Sequence, residues 1–383
     1  MNLLDDDGSD DICESESPSF SLRKSKKSDK TTSLPDGFKE RSAEWHFEHF
    51  VEFTQLKQEI GEPSPHLAIV GWLSKDQEIN DRLWLLGCYA ATYCLPTAQV
   101  LCAKWSWRKA HNRPQELTSW LEKHWKGIVT RTERRCVRTP KKMAECLTSY
   151  LQWMRNEYPR LLELKETVTG NAYYDAVWES VEGIKFFGRY INIRLVEGLK
   201  RYCDIPARLY DIRSIGGWSP KKCLCYLYPE HASVILIDNA EGNALTDELA
   251  YDLLQRVRDA GLPQVDEYVL AAMLCEYKGA FEKLHQYTSW TVDQEPLLHD
   301  KVLEYWGNTV DLSDLWNARA ALFPHEVLGE FHGWNGTRWD CAKTLQQYGY
   351  NWADLRYSYP ETLKSGDFSN PVLMSSSPNL LLS

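Results

Sequence analysis

From Asp36 almost to the end of the chain, apolar residues recur every three or four positions, and that period prescribes helices as the material of the fold. The opening run "SAEWHFEHFVEFTQLKQEI" spaces Trp45, Phe47, Phe50, Val51, Phe53, Leu56 and Ile60 in this way. Asn80 to Trp105 is apolar almost all round, which suits a buried central helix or a helix pair broken near Pro96. Further helices are expected at about 115–126, 140–157, 172–202, 219–228, 246–260, 265–285, 295–305, 311–322 and 338–348. Only "ASVILID", Ala232 to Asp238, reads as a strand, being short, β-branched and bounded by Asn239 and Gly242. The expected fold is therefore all-α, mainly helical, with at most a minor β element near 232–238.

No repeat and no Pro/Gly/Ser linker divides the body, so residues 36–360 are expected to form one helical catalytic domain. Residues 1–35, acidic and then Lys-rich, and residues 361–383 read as disordered or flexible tails. The first sixteen residues match most of the net charge of −10. Seven of the 54 acids fall in the first sixteen residues, leaving 47 against 44 bases. A nearly neutral remainder can carry a strong local field, so the overall acidity excludes no polyanionic partner. No apolar run reaches the roughly 18 residues of a membrane helix, and "MNLLDDDGSDD" lacks the basic-then-apolar order of a secretory signal. A cytoplasmic location is expected. Eleven cysteines without a C-x-x-C pair suit a reducing compartment, with Cys88, Cys94, Cys102, Cys146 and Cys275 acting as small apolar residues on helices.

One basic segment stands out. Between Ile184 and Lys222 nine Lys or Arg face only Glu197, Asp204 and Asp211, a local surplus of six. If Ile184–Tyr202 is helical, then Ile184, Phe187, Ile191, Leu195, Leu199 and Tyr202 form an apolar stripe. Lys185, Arg189 and Lys200 fall on one flank of that stripe with Asn192 beside them, as a basic rail. Arg194, Glu197 and Arg201 take the other flank, where a solvated salt-bridge face explains them. Beyond the helix, "YDIRSIGGWSPKKCL" combines a Gly216-Gly217 turn with Ser219 and Pro220 as cap and first turn of a new helix. Such a turn offers free amides and partial positive charge to phosphate, reinforced by Lys221 and Lys222. The alternative is a plain connector carrying solvated lysines. The chain contains no Walker A motif and no G-x-G-x-x-G behind a strand, which disfavours nucleotide-driven kinases and dinucleotide enzymes. A nucleic-acid backbone or a phosphorylated substrate group remains.

Three segments taken together, "PHLAIVGWLSKDQEINDRLWLLGCYAATYCLPTAQVL" (65–101), "GIKFFGRYINIRLVEGLKRY" (183–202) and "DIRSIGGWSPKKCLCYLYP" (211–229), resemble the predicted amino acid:DNA transferase domain of bacteriophage thymine-hypermodification systems. That domain is grouped with the α-glutamyl and putrescinyl thymine pyrophosphorylases. The residues that match are Cys88, Tyr89, Pro96 and Thr97, then Lys185, Gly188, Arg189 and Tyr190, then Asp211, Arg213, Trp218, Ser219 and Pro220. "HGWNGTRWDCAKTLQQYGY" near the C-terminal end matches nothing in the family.

The resemblance implies a helical, glycosylase-like enzyme that acts on 5-hydroxymethyluracil already pyrophosphorylated in double-stranded DNA. The nucleophile of an amino acid or polyamine displaces the pyrophosphate, in the host cytoplasm if the chain is a phage protein. Departure of pyrophosphate builds charge that fixed cations such as Lys185, Arg189 and Arg213 stabilise. The attacking amine must be neutral, so a base is needed. Asp211 is the leading candidate, and an equal alternative makes it the ion-pair partner that holds Arg213. A base attacked in duplex DNA must be extruded or approached through a widened groove, and Trp218 and Tyr190 are the stacking residues beside the basic rail.

Other constellations are weaker. His46-x-x-His49, and His325 with Glu330 and His332, do not match H-E-x-x-H, and no metal ligand is assigned. Mg2+ remains a candidate cofactor, since it needs only one or two carboxylates. Two rival readings stand beside the transferase: a glycosylase-like base-excision enzyme, and a non-catalytic DNA-binding or interaction protein.

Overall fold

A computed structural model describes residues 42–59, 65–210, 218–237, 239–283 and 290–322, and every regular element among them is helical. The expected helix 338–348 and both tails, 1–35 and 361–383, lie outside the described residues. In chain order, α1 (Ala43–Glu59) and α2 (Pro65–Ser74) precede α3 (Ile79–Thr92) and α4 (Leu95–Lys104), the pair anticipated over 80–105. The break falls at Tyr93 and Cys94, just ahead of Pro96, with Tyr93 left-handed at φ 51°. There follow α5 (Trp107–Asn112), α6 (Pro114–His124) and the long α7 (Pro140–Leu164), then α8 (Gly170–Glu182) and α9 (Arg189–Tyr202). The remainder comprises α10 (Trp218–Leu227), the one-turn α11 (Ala232–Ile235), α12 (Ala240–Asp259), α13 (Glu267–Lys283), α14 (Trp290–Trp306) and α15 (Asp314–Leu322).

Helix α3 is the axis of the molecule. Every residue from Leu83 to Thr92 is buried, and α2, α4, α7 and α9 pack around it. Two glycines permit that crowding. A Cβ on Gly87 would stand 1.9 Å from the Tyr150 ring of α7, and one on Gly198 of α9 would stand 2.5 Å from Leu86. Tyr150 in turn donates its hydroxyl to the Leu83 carbonyl at 2.8 Å, which satisfies the one polar atom this ring brings into the core. A second layer brings α10 and α1 against α13.

Two expectations are corrected by the structure. Ala232–Ile235 is a helical turn, not a strand, and no strand occurs among the described residues. A run this short satisfies its backbone locally, with Leu236 donating to Ala232 at 3.2 Å and Ile237 to Val234 at 3.0 Å. Asn239 then caps α12 by accepting from Gly242 at 2.8 Å. The second correction concerns 172–202, which is two helices separated by a turn at 183–188. Local helical pattern is overridden there by tertiary contacts described below.

The nine cysteines among the described residues are free thiols. Cys88, Cys94 and Cys146 are buried as expected, while Cys102 and Cys275 are half-buried. Burial pushes the Cys146 thiol up to about 12 despite Arg134 nearby, and so keeps it an inert apolar group at neutral pH. Among the described residues, no helix is long and apolar enough to cross a membrane.

Candidate functional site

The 183–188 turn lies between Gly183 and Gly188 and is tied from outside at Phe186 and Lys185. Phe186 is left-handed at φ 62°, and its carbonyl accepts from Arg134 Nη1 at 3.0 Å and from the Cys136 thiol at 3.4 Å. The Lys185 amide donates to Ser149 Oγ of α7 at 3.0 Å. Arg134 is fully buried and spends its Nε on the Ala91 carbonyl at 3.0 Å, near the end of α3. One guanidinium therefore joins the turn before α9 to the C-terminus of α3.

The consequence for the basic rail is direct. Lys185 sits exposed on the turn and not on the flank of α9, whose first residue is the exposed Arg189. Gly188 is the N-cap of α9 and supplies no side-chain acceptor, so the first-turn amides keep the helix's partial positive charge without a side-chain cap. Lys142, at the start of α7, holds its ammonium 5.9 Å above the Phe186 ring and joins the same group of cations.

Beside these cations lies a cluster of tyrosines. The Tyr190 and Tyr93 hydroxyls meet at 2.5 Å, and Tyr93 stacks on Tyr89 with centroids 5.2 Å apart. Arg131 lies 5.6 Å above the Tyr93 ring and donates to His66 Nε2 at 2.7 Å. A guanidinium has no acceptor, so Nε2 must accept and the imidazole proton sits on Nδ1. Arg194 approaches the other ring of the pair, 5.6 Å from the Tyr190 centroid. Burial alone would weaken its charge, yet Tyr190 and Glu197 more than offset this and hold its pKa well above the usual value. Two of the three non-glycine residues with positive φ among the described residues, Tyr93 and Phe186, thus flank this cluster.

Arg194, Glu197 and Arg201 are not the solvated face expected of them. Glu197 is 1% exposed and accepts from Arg194 at 2.9 Å and from Arg201 Nε at 3.1 Å. A helical wheel gives these residues a flank of their own but does not show that it turns inward. Asn192, expected at the edge of the rail, is 2% exposed, and its Oδ1 has no partner among the described residues.

Lys200 is likewise corrected. It pairs with Asp266 of α13 at 3.0 Å and covers the Tyr268 ring at 5.0 Å, while Arg201 reaches the same Asp266 at 3.7 Å. It stands about 16 Å along α9 from Arg189 at a rise of 1.5 Å per residue, with its charge already matched. On α10, Lys221 donates to Asn243 Oδ1 at 2.6 Å, while Ser219 and Lys222 are half-buried. Trp218 opens that helix. Asp211 and Arg213 lie outside the described residues. Of the sequence candidates, Lys185, Arg189 and Tyr190 are the ones brought together.

The histidine pair of α1 divides between unrelated partners. His46 is buried with Nδ1 3.3 Å from the Tyr277 hydroxyl, whereas His49 stacks on Trp45 at 3.6 Å. Among the described residues no group of three or more His, Cys, Asp or Glu is arranged to hold a metal ion.

A stronger basic signal escaped the sequence reading. Between Lys104 and Lys142 twelve Lys or Arg face only Glu116, Glu122 and Glu133, a surplus of nine against the six of 184–222. Arg131, Arg134 and Lys142 of the site come from it. Its first part forms a second basic and aromatic cluster where α4, α6 and α14 end. Lys104 lies 5.8 Å from the Trp306 ring, Lys109 lies 4.1 Å from Trp105, and His124 stacks on Trp306 at 5.3 Å. Burial, Lys123 and Lys104 together lower the pKa of His124.

Comparison with protein families matches residues 66–285 to the model of the amino acid:DNA transferases, more than half of the chain. The chain belongs to the amino acid:DNA transferase family. The match takes in His66, Tyr93, Arg131, Lys185, Arg189 and Tyr190, and the whole basic segment 104–142. As a member of the family, the protein is a transferase that acts on DNA, with DNA and an amino acid as its partners. Searches of curated proteins and of solved structures return no match.

Proposed function

We propose that the enzyme joins the amine of an amino acid to the methylene of pyrophosphorylated 5-hydroxymethyluracil in double-stranded DNA. The observations that carry this reading are the Tyr93–Tyr190 hydroxyl contact with Arg131 over the Tyr93 ring, and the exposed Lys185 and Arg189, with Lys142 over Phe186, on the turn that leads into Tyr190. Cations and a helix start without a side-chain cap suit the oxygens of a DNA-borne pyrophosphate, and adjacent aromatic rings suit an extruded pyrimidine.

In the proposed step the amine nitrogen forms a bond to the methylene carbon as the C–O bond breaks. The bonding pair leaves on pyrophosphate, and the surplus ammonium proton passes to a base. Lys185, Arg189 and Arg213 offset the charge that builds on the leaving oxygens. Asp211 is the proposed base, with the holding of Arg213 as its alternative role. Arg194, kept charged by Glu197, biases the Tyr190 hydroxyl toward hydrogen-bond donation within the tyrosine pair.

The test is incubation of the protein with DNA carrying pyrophosphorylated 5-hydroxymethyluracil and a panel of amino acids and polyamines, followed by digestion to nucleosides and mass spectrometry. A nucleoside heavier by the donor, with pyrophosphate released, is the expected result. Abasic sites would replace transfer by base excision, and an unchanged nucleoside pool with retained binding would reduce the protein to a DNA binder.

A further inference from the structure

The tyrosine cluster uses only the second half of the basic run 104–142. The first half, Lys104 to Lys126, sets six Lys or Arg against Glu116 and Glu122, and Arg113 spends its charge on Glu116 at 3.4 Å. Lys104, Arg108, Lys109, Lys123 and Lys126 remain, all but Lys104 exposed, and none of the five forms an ion pair among the described residues. Lys104 Nζ donates to the Thr309 carbonyl at 2.8 Å and Lys109 Nζ to the Lys104 carbonyl at 3.2 Å. A carbonyl takes one of an ammonium's three N–H groups and leaves its charge unmatched. The nearby acids do not supply the match: Asp311 accepts from the Ser313 amide at 2.9 Å, and Glu304 forms no ion pair among the described residues.

A framework of rings fixes these cations in place. Trp306 stacks on Trp120 at 5.5 Å and on His124 at 5.3 Å, and Trp105 stands edge-on to Trp120 at 6.1 Å. The Lys104 and Lys109 ammonium groups lie 5.8 Å and 4.1 Å from the Trp306 and Trp105 rings, so their apolar stems cover the framework and their charges stay at its rim. Tyr305, 41% exposed, sets its hydroxyl 3.2 Å from His124 Nδ1.

This basic face is continuous with the site. Residues 125–131 lead from the framework to the tyrosine cluster alongside α4. The Gly127 carbonyl accepts from Trp306 Nε1 at 2.8 Å, the Val129 amide donates to Thr97 Oγ1 at 3.2 Å, and the Arg131 amide donates to the Thr92 carbonyl at 3.2 Å. A Cβ on Gly127 would stand 2.3 Å from the Tyr305 ring, so this close approach needs glycine. Exposed Lys126 marks one end of the segment, and Arg131, over the Tyr93 ring, marks the other. The ten residues of α4 separate the two ends by about 15 Å, or about four base-pair steps of 3.4 Å.

We infer that this face is a second DNA contact, in which phosphates about four base pairs from the reacting base rest on Lys104, Lys109, Lys123 and Lys126, with Arg108 beside them. A duplex carries one charge per roughly 1.7 Å of its axis, and a strip of unmatched cations is the complement of such a backbone. The inference goes beyond the proposed reaction. It rests on DNA as the partner of the family and not on the pyrophosphate chemistry.

Binding of the full chain to unmodified duplex DNA, followed against salt concentration, tests it. Lys123→Gln and Lys126→Gln each remove an exposed charge that makes no hydrogen bond among the described residues, so the melting temperature should hold. Each should flatten the salt slope by about one unit, and Lys104→Gln combined with Lys109→Gln by about two. Lys75→Gln is the control. It removes an exposed cation near the other end of α9, where Arg82 bonds to both the Lys75 and Tyr202 carbonyls, and it should leave the slope unchanged. Parental slopes in Lys123→Gln and Lys126→Gln, or an equal flattening in Lys75→Gln, overturn the inference. If the slopes flatten as described but no adduct forms on the pyrophosphorylated DNA, the second contact stands and the proposed chemistry falls.

Discussion

The two ends of α9 carry similar cations and put them to opposite uses. At its start Lys185 and Arg189 are exposed beside uncapped amides, whereas at its end Lys200 and Arg201 are met by Asp266 and Glu197. A count of Lys and Arg treats the four alike. What separates them is the partner helix: α13 brings Asp266 against the end of α9, while the start of α9 is met by Phe186 and Lys142. Charge becomes available to a ligand only where packing leaves it unmatched.

The sharpest way to break this comparison is at Glu197. Replacing it with Ala strands Arg194 and leaves Arg201 only its longer contact with Asp266, and the expected loss is about 3–5 kcal/mol in urea unfolding. A loss below about 1 kcal/mol would mean that the paired end behaves like an ordinary surface.

Next comes Asp266, whose neighbours decide its titration. Burial alone would raise its pKa, but the Val269 amide, Lys200 and Arg201 outweigh that and hold it below the usual carboxylate value. The folded state therefore holds this proton less tightly than the unfolded chain. The stability Asp266 contributes is present above the unfolded pKa, near 4, and is lost as pH falls through the lower folded value. Asp266→Asn should cost about 1–2 kcal/mol at pH 7 and flatten the stability profile below pH 4. A profile unchanged in shape would show that the pairing carries no linkage.

Exchange of single cations between the two ends sharpens the contrast further. Lys185→Ala and Arg189→Ala should leave stability within about 0.5 kcal/mol of the parent and flatten the salt dependence of DNA binding by about one unit each. Lys200→Ala should do the reverse, lowering stability by up to about 1 kcal/mol with no change in salt slope. Equal slopes in all three variants would dissolve the distinction.

The smallest effect expected is at His124, in the second basic cluster. A phosphate near Lys104 and Lys123 would oppose their influence, so duplex DNA should move the His124 titration upward by a fraction of a unit, read by NMR. No movement would remove that cluster from the DNA-binding surface.

Much of this was legible in the sequence, and the failures have physical causes. Period 3.6 marked the buried α3–α4 pair, because a chain that is apolar on all sides has nowhere to go but the core. Tyr190, Lys185 and Arg189 stood out in the sequence as candidates. Their arrangement did not: Gly183 and Gly188 bracket the break at 183–188, but the capture of the Phe186 carbonyl by Arg134, fifty residues away, leaves no local mark. "ASVILID" misled because β-branched residues state a preference for a pleated neighbour, and none is provided. Glu197 misled in a different way. A wheel gives angular position, and only the arrival of another helix says which polar side is sealed. The 104–142 surplus needed no structure at all, only the same count carried along the whole chain.

Arg134 has one more implication. It holds the Ala91 and Phe186 carbonyls at once, and each belongs to a segment that must keep a residue in the left-handed region. Neither segment can relax without releasing the same cation into the core, so the end of α3 and the turn before α9 should open together or not at all. Amide exchange at Tyr93 and Phe187 should then proceed at a common free energy, making the floor of the site a single cooperative unit instead of two independent loops.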